Sequence, residues 1–101
     1  MGPMAKAYVL VDVEVTDPAV YEDYKKLSTA AVEKYGGRWL IRGGAVHVLE
    51  GERQPQRVVL LEFDDEAAAR RWYDSPEYTE AKAVRQRASS PASSLVLIHG
   101  A

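Results

Sequence analysis

The chain has 101 residues, enough for one domain, and its 47% hydrophobic and 28% charged residues are typical of a folded globular protein. Thirteen basic and fifteen acidic residues give a net charge of −2. This balance argues against a nucleic-acid-binding protein, because such domains carry clustered Lys and Arg. Cysteine is absent, which excludes disulfides, thiolate catalysis and cysteine-ligated metals. No apolar run approaches the roughly 20 residues that span a bilayer.

The chain opens with Met1-Gly2-Pro3-Met4, in which a second Met follows a Gly-Pro pair. We interpret residues 1–3 as a cloning remnant and expect residues 5–100 to form one domain. A basic segment followed by an apolar one, the pattern of a secretory signal, is missing from this start. A cytoplasmic protein is therefore expected.

The first half of the chain predicts a strand and then a helix. Lys6–Val15 alternates apolar residues on one face, which favours a strand. Asp17 can cap a helix that has Pro18 at its first position, where the missing N–H costs nothing. Apolar residues then recur at spacings of three and four until Gly36-Gly37, a pair that favours a helix end.

The second half predicts three more strands and a broken helix. A strand begins at Arg38, is interrupted by Gly43-Gly44 and resumes over residues 45–50, so we expect a bulge or bend at the glycines. Residues 51–56 predict a turn into a third strand over residues 57–63. A helix over residues 66–74 is broken and restarted at Ser75-Pro76, and a last strand covers residues 95–99.

The resulting order, β-α-β-β-α-β, predicts the ferredoxin-like α+β fold: a four-stranded antiparallel sheet with both helical segments on one face. Right-handed crossovers and the hairpin between the second and third strands give the strand order 4-1-3-2.

The sheet face without helices should be polar in a monomer, yet the predicted strands are apolar on both faces. Tyr8, Leu10, Leu40, Val58 and Leu60 would form an exposed patch of the kind that marks an interface. We therefore predict a homodimer that covers this face through a two-fold axis. The alternative is a monomer with an unusually apolar sheet.

Strand alternation then predicts a polar cluster on the same face. If Trp39 and Ile41 lie under the helices, Arg38 and Arg42 point away from them. Charges on a partly buried surface must be paired or neutralised. Two interpretations stay open, a ligand pocket and an ion-pair network that sets the dimer register. The predicted ligand-binding residues are Tyr8, Asp12, Arg38, Arg42 and Glu62.

Several stretches carry a resemblance to a known family. They are the run from Tyr35 to Gly44 (YGGRWLIRGG), the segment Val48-Leu49-Glu50-Gly51 and the segment Ser75-Pro76-Glu77-Tyr78. The chain resembles the domain of unknown function 1330 family over nearly its whole length from Met4. That family is similar to the dimeric α+β-barrel superfamily, which includes antibiotic-biosynthesis monooxygenases and muconolactone isomerase-like proteins. The resemblance implies a dimeric barrel and transfers no catalytic residue.

Other chemistries lack their motifs. His47 and His99 are the two histidines, and neither has a neighbour at metal-ligand spacing, so no metal and no cofactor are expected. The glycine pairs do not form a phosphate-binding motif, and no G-x-S-x-G elbow is present. The third strand lacks the basic and aromatic pattern of an RNA-recognition sheet.

These observations predict a homodimeric protein that binds a small, partly apolar molecule in the cavity on the open sheet face. In this hypothesis Arg42, and with it Arg38, holds an anionic or carbonyl group. One alternative is a cofactor-independent monooxygenase or isomerase with Asp12 or Glu62 as general base. The other is a structural dimer without a ligand.

Overall fold

The computed structural model describes residues 5–101; residues 1–3, interpreted above as a cloning remnant, lie outside this range. The described residues form seven elements: β1 (Ala7–Val13), α1 (Pro18–Lys34), β2 (Arg38–Arg42), β3 (Arg57–Phe63), α2 (Glu66–Asp74), α3 (Pro76–Ala88) and β4 (Ser94–His99). The strands pair as an antiparallel sheet in the order β2-β3-β1-β4. This is the predicted order 4-1-3-2 taken from the other edge, and the α+β fold is confirmed.

The core lies between one sheet face and the helices. Alternate residues of β1 and β3 point into it, because successive side chains of a strand face opposite sides. The largest fully buried side chains are those of Trp72, Tyr78, Phe63, Leu61, Val9, Val13 and Val32. The other sheet face, here called the open face, contributes no residue to this core.

Side-chain caps fix the points where the helices begin. The Asp17 carboxylate accepts a hydrogen bond from the N–H of Val20 at 3.2 Å, as expected for an N-cap. Ser75 separates α2 from α3, because its hydroxyl donates to the Trp72 carbonyl at 2.7 Å and accepts from the Tyr78 N–H at 3.0 Å. The predicted break in the second helix is confirmed.

The bend at the glycine pair is also confirmed, but the strand does not resume after it. Gly43 adopts φ +74°, and its N–H donates to the Val58 carbonyl at 2.8 Å, which ends β2. Residues 44–56 form a loop. The prediction of a strand over residues 45–50 is therefore wrong, since this segment makes no ladder with β3.

A bulge lies earlier than expected, at Leu40. Trp39 pairs with Leu61 while Ile41 pairs with Leu60, so β2 has one extra residue against β3. An extra residue inverts the alternation that follows it. Ile41 therefore points to the open face, where it is 44% exposed, and Arg42 points to the helix side. Both predicted orientations are wrong for this reason.

Candidate functional site

One end of the open face carries a paired polar cluster. The Tyr8 hydroxyl donates to Glu62 Oε2 at 3.1 Å, and Arg38 Nε donates to Glu62 Oε1 at 2.8 Å. Arg38 Nη2 also donates to Asp64 at 3.0 Å. The Arg38 guanidinium, with help from the Tyr8 hydroxyl, holds the pKa of the Glu62 carboxyl below its ordinary value. The hydrogen bond that the Tyr8 hydroxyl donates to Glu62 raises the pKa of Tyr8.

Asp12 lies at the opposite end of this face. It is opposite Val58 in the β1–β3 pairing, whereas Glu62 is opposite Tyr8. The carboxylate of Asp12 pairs with Arg53, a residue of the loop after β2. Asp12 and Arg53 line a cavity of about 290 Å³ near the end of β1. Asp12 and Glu62 thus form ion pairs with two different arginines, Arg53 and Arg38.

An apolar band separates the two polar ends. It runs across all four strands and consists of Val96, Leu10, Leu60 and Ile41. Val96 is 45% exposed, as is Ile98 beside it. In the single chain this band faces solvent.

The structure therefore brings together only part of the predicted cluster. Tyr8, Arg38 and Glu62 meet, Asp12 lies apart, and Arg42 lies on the other side of the sheet. The predicted convergence of Asp12, Arg42 and Glu62 on one cavity is wrong. The bulge at Leu40 explains why Arg42 points to the other side of the sheet. Asp12 lies apart from Glu62 because it is opposite Val58, at the other end of β3.

Arg42 instead contributes to a cleft between α1 and the edge of the sheet. Its guanidinium carbon lies 4.0 Å from the centroid of the Trp39 ring, and Nη2 donates to the Thr29 hydroxyl on α1. A guanidinium over an aromatic face keeps its edge N–H groups available for hydrogen bonds, and one of those of Arg42 is used by Thr29.

Arg57, at the start of β3, enters the same cleft. Its Nε donates to the Tyr21 hydroxyl at 3.1 Å, and its guanidinium carbon lies 5.5 Å from the Tyr21 ring centroid. A Cβ placed on Gly43 would clash with Arg57 Nη1, so the Arg57 side chain occupies space that only glycine leaves. Burial raises the pKa of Tyr21, which keeps its hydroxyl protonated.

We call this space the basic cleft. Its outer part has a volume of about 620 Å³ and is lined by Glu22, Lys25, Lys26, Thr29, Arg42 and Arg57. Its inner end holds about 20 Å³ and is lined by aromatic residues together with Ser28 of α1. Four cationic side chains thus surround one carboxylate. Within residues 5–101, neither Arg42 nor Arg57 has an acidic partner, and Glu22 is paired with Lys25 at 2.8 Å.

Both histidines lie at the surface. His47 is exposed in the loop after β2, and His99 pairs with Glu66 at the surface at 2.5 Å. In the part of the chain that the structure describes, no group of three or more His, Asp or Glu side chains could hold a metal ion. The helices found in that part are too short or too polar to cross a membrane.

The match to a family model covers residues 6–101 and carries the description "Domain of unknown function (DUF1330)". The chain belongs to the DUF1330 family. A search of curated proteins finds no significant match for this DUF1330 protein.

Solved structures share its fold at low sequence identity. A protein of unknown function from Rhodopseudomonas palustris is 22% identical, with 96% of this chain and 83% of that chain covered and a TM-score of 0.79. SnoaB, a cofactor-independent oxygenase from Streptomyces nogalater, is 18% identical over 96% and 94% of the two chains, with a TM-score of 0.61. A dimeric protein of ferredoxin-like fold from Bacteroides fragilis is 16% identical over 94% and 96%, with a TM-score of 0.62. These likenesses establish the fold of the DUF1330 protein.

Sequence reasoning missed Arg57, Tyr21 and Lys25. The signal for Arg57 was present, because it shares the alternation of Val59, Leu61 and Phe63, which all face the helices. A charged residue on a core-facing register position indicates a special environment. Tyr21 and Lys25 gave no such signal, since both fit an ordinary amphipathic helix.

Proposed function

We propose that this DUF1330 protein binds a small organic anion in the basic cleft and works as a homodimer. The observation that carries the binding proposal is the meeting of Arg42 and Arg57 in a cleft where neither has an acidic partner among residues 5–101. A cytoplasmic location, expected from the sequence, remains part of this proposal.

The charge of the cleft supports the proposal because it differs from that of the whole chain. The protein has a net charge of −2, yet Lys25, Lys26, Arg42 and Arg57 outnumber Glu22 in the cleft. A cleft lined by charges of one sign concentrates ligands of the opposite sign. Guanidinium groups favour a carboxylate, which they can bind through two parallel hydrogen bonds.

The open face supports a ligand site less well. Glu62, Arg38 and Tyr8 already satisfy one another, and Asp12 is paired with Arg53. These four predicted ligand residues are better explained as polar groups that set the register of two sheets. Neither acid suits a general base at this face, since Arg38 holds the pKa of Glu62 low and Arg53 occupies Asp12.

The binding proposal is tested with benzoate as the probe anion at constant ionic strength. The chain has two tryptophans, Trp39 and Trp72, and both line the inner end of the cleft, so their fluorescence reports binding directly. We expect saturable quenching in the native protein. Arg42→Met and Arg57→Met should remain folded and lose at least ten-fold in affinity, about 1.4 kcal/mol.

The matched control is Arg71→Met, because Arg71 is exposed on α2 and does not line the cleft. This variant should bind benzoate as the native protein does. Equal binding by the native protein and both cleft variants would refute the proposed site, and so would a complete absence of saturable anion binding.

The dimer proposal depends on the open face. Its apolar band crosses all four strands and is solvent-exposed in one chain, which is the property of an interface. The Bacteroides fragilis protein of the same fold is described as dimeric. Light scattering should give twice the chain mass of 11.2 kDa. A single-chain mass across the micromolar range would contradict the dimer.

A further inference from the structure

The geometry points to an aromatic carboxylate with a second hydrogen-bond-accepting oxygen as the ligand of the basic cleft. This inference rests on the proposed function and adds the chemical class of the ligand. The carboxylate and the ring would lie in the outer part beside Arg42 and Arg57, and the second oxygen would lie at the inner end, which the two tryptophans line.

The walls of the cleft favour a flat ligand. Each cleft arginine lies over an aromatic face, Arg42 over Trp39 and Arg57 over Tyr21. The outer part, which has room for a ring, is bounded by both guanidinium groups. A planar ring can stack on a guanidinium face, while its carboxylate accepts hydrogen bonds from guanidinium N–H groups.

Two buried donors supply an independent observation. The indole N–H groups of Trp39 and Trp72 are buried and have no hydrogen-bond partner among the described residues. Buried donors are nearly always paired, and an unpaired one requires an explanation. Both tryptophans line the inner end of the same cleft. An oxygen of the ligand would be the missing acceptor.

The size of the inner end limits what can enter it. Its volume of about 20 Å³ is close to that of one water-sized sphere, whereas the outer part measures about 620 Å³. A single hydroxyl or carbonyl oxygen can occupy the inner end, and a ring cannot. The ring and carboxylate therefore belong in the outer part.

The test compares four probes on the full chain by isothermal titration calorimetry: acetate, cyclohexanecarboxylate, benzoate and 4-hydroxybenzoate. We expect affinity to rise in that order, with benzoate at least ten-fold tighter than acetate. The phenolic oxygen of 4-hydroxybenzoate should add a several-fold gain. Trp39→Phe removes one indole N–H and keeps an aromatic ring, so it should lower the ratio of the 4-hydroxybenzoate affinity to the benzoate affinity.

Trp72→Phe is the second variant. The ratio of the 4-hydroxybenzoate affinity to the benzoate affinity is measured for it by the same calorimetry. If neither substitution changes this ratio, the indole groups do not bind the second oxygen and the inference is wrong. If acetate binds as tightly as benzoate and both require Arg42, the anion site stands and the aromatic class fails. If none of the four anions binds, the proposed function fails with it.

Discussion

At the scale of single residues, Gly43 determines where Arg57 can lie. Gly43 has φ +74°, a conformation that costs an L-residue about 1–2 kcal/mol. An added Cβ would also displace Arg57 Nη1 from its present position. We expect Gly43→Ala to lower the free energy of unfolding by about 1–2 kcal/mol and to weaken benzoate binding. Thermal unfolding and the fluorescence titration measure the two effects.

Gly44→Ala is the matched control for this substitution. A Cβ on Gly44 would meet nothing within 4 Å, and Gly44 is not among the positive-φ glycines. This variant should stay within about 0.5 kcal/mol of the native protein and bind benzoate normally. Equal effects at Gly43 and Gly44 would show that the bend, and not the space for Arg57, is what matters.

At the scale of elements, a buried hydroxyl pair joins α1 to α3. The hydroxyls of Tyr24 and Tyr78 lie 2.8 Å apart, and Arg85 Nη1 donates to the Tyr78 hydroxyl at 3.0 Å. Tyr78→Phe takes a hydrogen-bond partner from both the Tyr24 hydroxyl and Arg85. Tyr24→Phe leaves the Tyr78 hydroxyl still bonded to Arg85. We expect Tyr78→Phe to cost about 1–3 kcal/mol and Tyr24→Phe about 1 kcal/mol in urea unfolding. The reverse order would mean that Arg85 does not depend on Tyr78.

A second contact between these helices depends on pH. The Lys34 ammonium and the Tyr35 hydroxyl both bind Glu77, and they help lower its carboxyl pKa from 4.5 to about 2. A carboxyl with a lowered pKa stabilises the fold above its unfolded pKa, and this stabilisation is lost as the pH falls through the folded pKa. The contribution of Glu77 should therefore be complete above pH 4.5 and fade towards pH 2.

The measurement is the melting temperature of Glu77→Gln and of the native protein from pH 7 downwards. We expect the native protein to melt higher at neutral pH and the difference to shrink below pH 4.5. Glu80→Gln is the control, because Glu80 is an exposed neighbour on α3 that forms no ion pair with residues 5–101. Glu80→Gln should melt at the same temperature as the native protein at every pH. If the difference in melting temperature between Glu77→Gln and the native protein stays constant with pH, Glu77 is not the pH-dependent group.

At the scale of the whole molecule, the open face should hold two copies together. Val96 is 45% exposed in one chain, so Val96→Asp should leave the monomer folded while placing a charge inside the proposed interface. We expect light scattering to show a single-chain mass and circular dichroism to remain native. Ala83→Asp puts the same charge on an exposed position of α3 and should stay dimeric. A dimer that tolerates Val96→Asp would place the interface elsewhere.

The order of the elements and most of their boundaries could be predicted from the sequence alone. Asp17 and Ser75 predicted where helices begin, because a side-chain cap is a local interaction between residues three apart. The alternation of β1 and β3 predicted the two faces of the sheet and the apolar band. These signals depend on neighbouring residues, so they can be recognised before any tertiary contact exists.

Which charges share a site could not be predicted in this way, because it depends on how the strands pair. The bulge at Leu40 exists because of how β2 pairs with β3, and nothing in the local sequence RWLIR marks the extra residue. That single shift moved Arg42 from the open face to the basic cleft beside Arg57. Arg53 likewise reaches Asp12 from a loop that the sequence assigned to a turn. A one-residue change in pairing inverts every following side chain, so the site depended on a contact that alternation alone cannot specify.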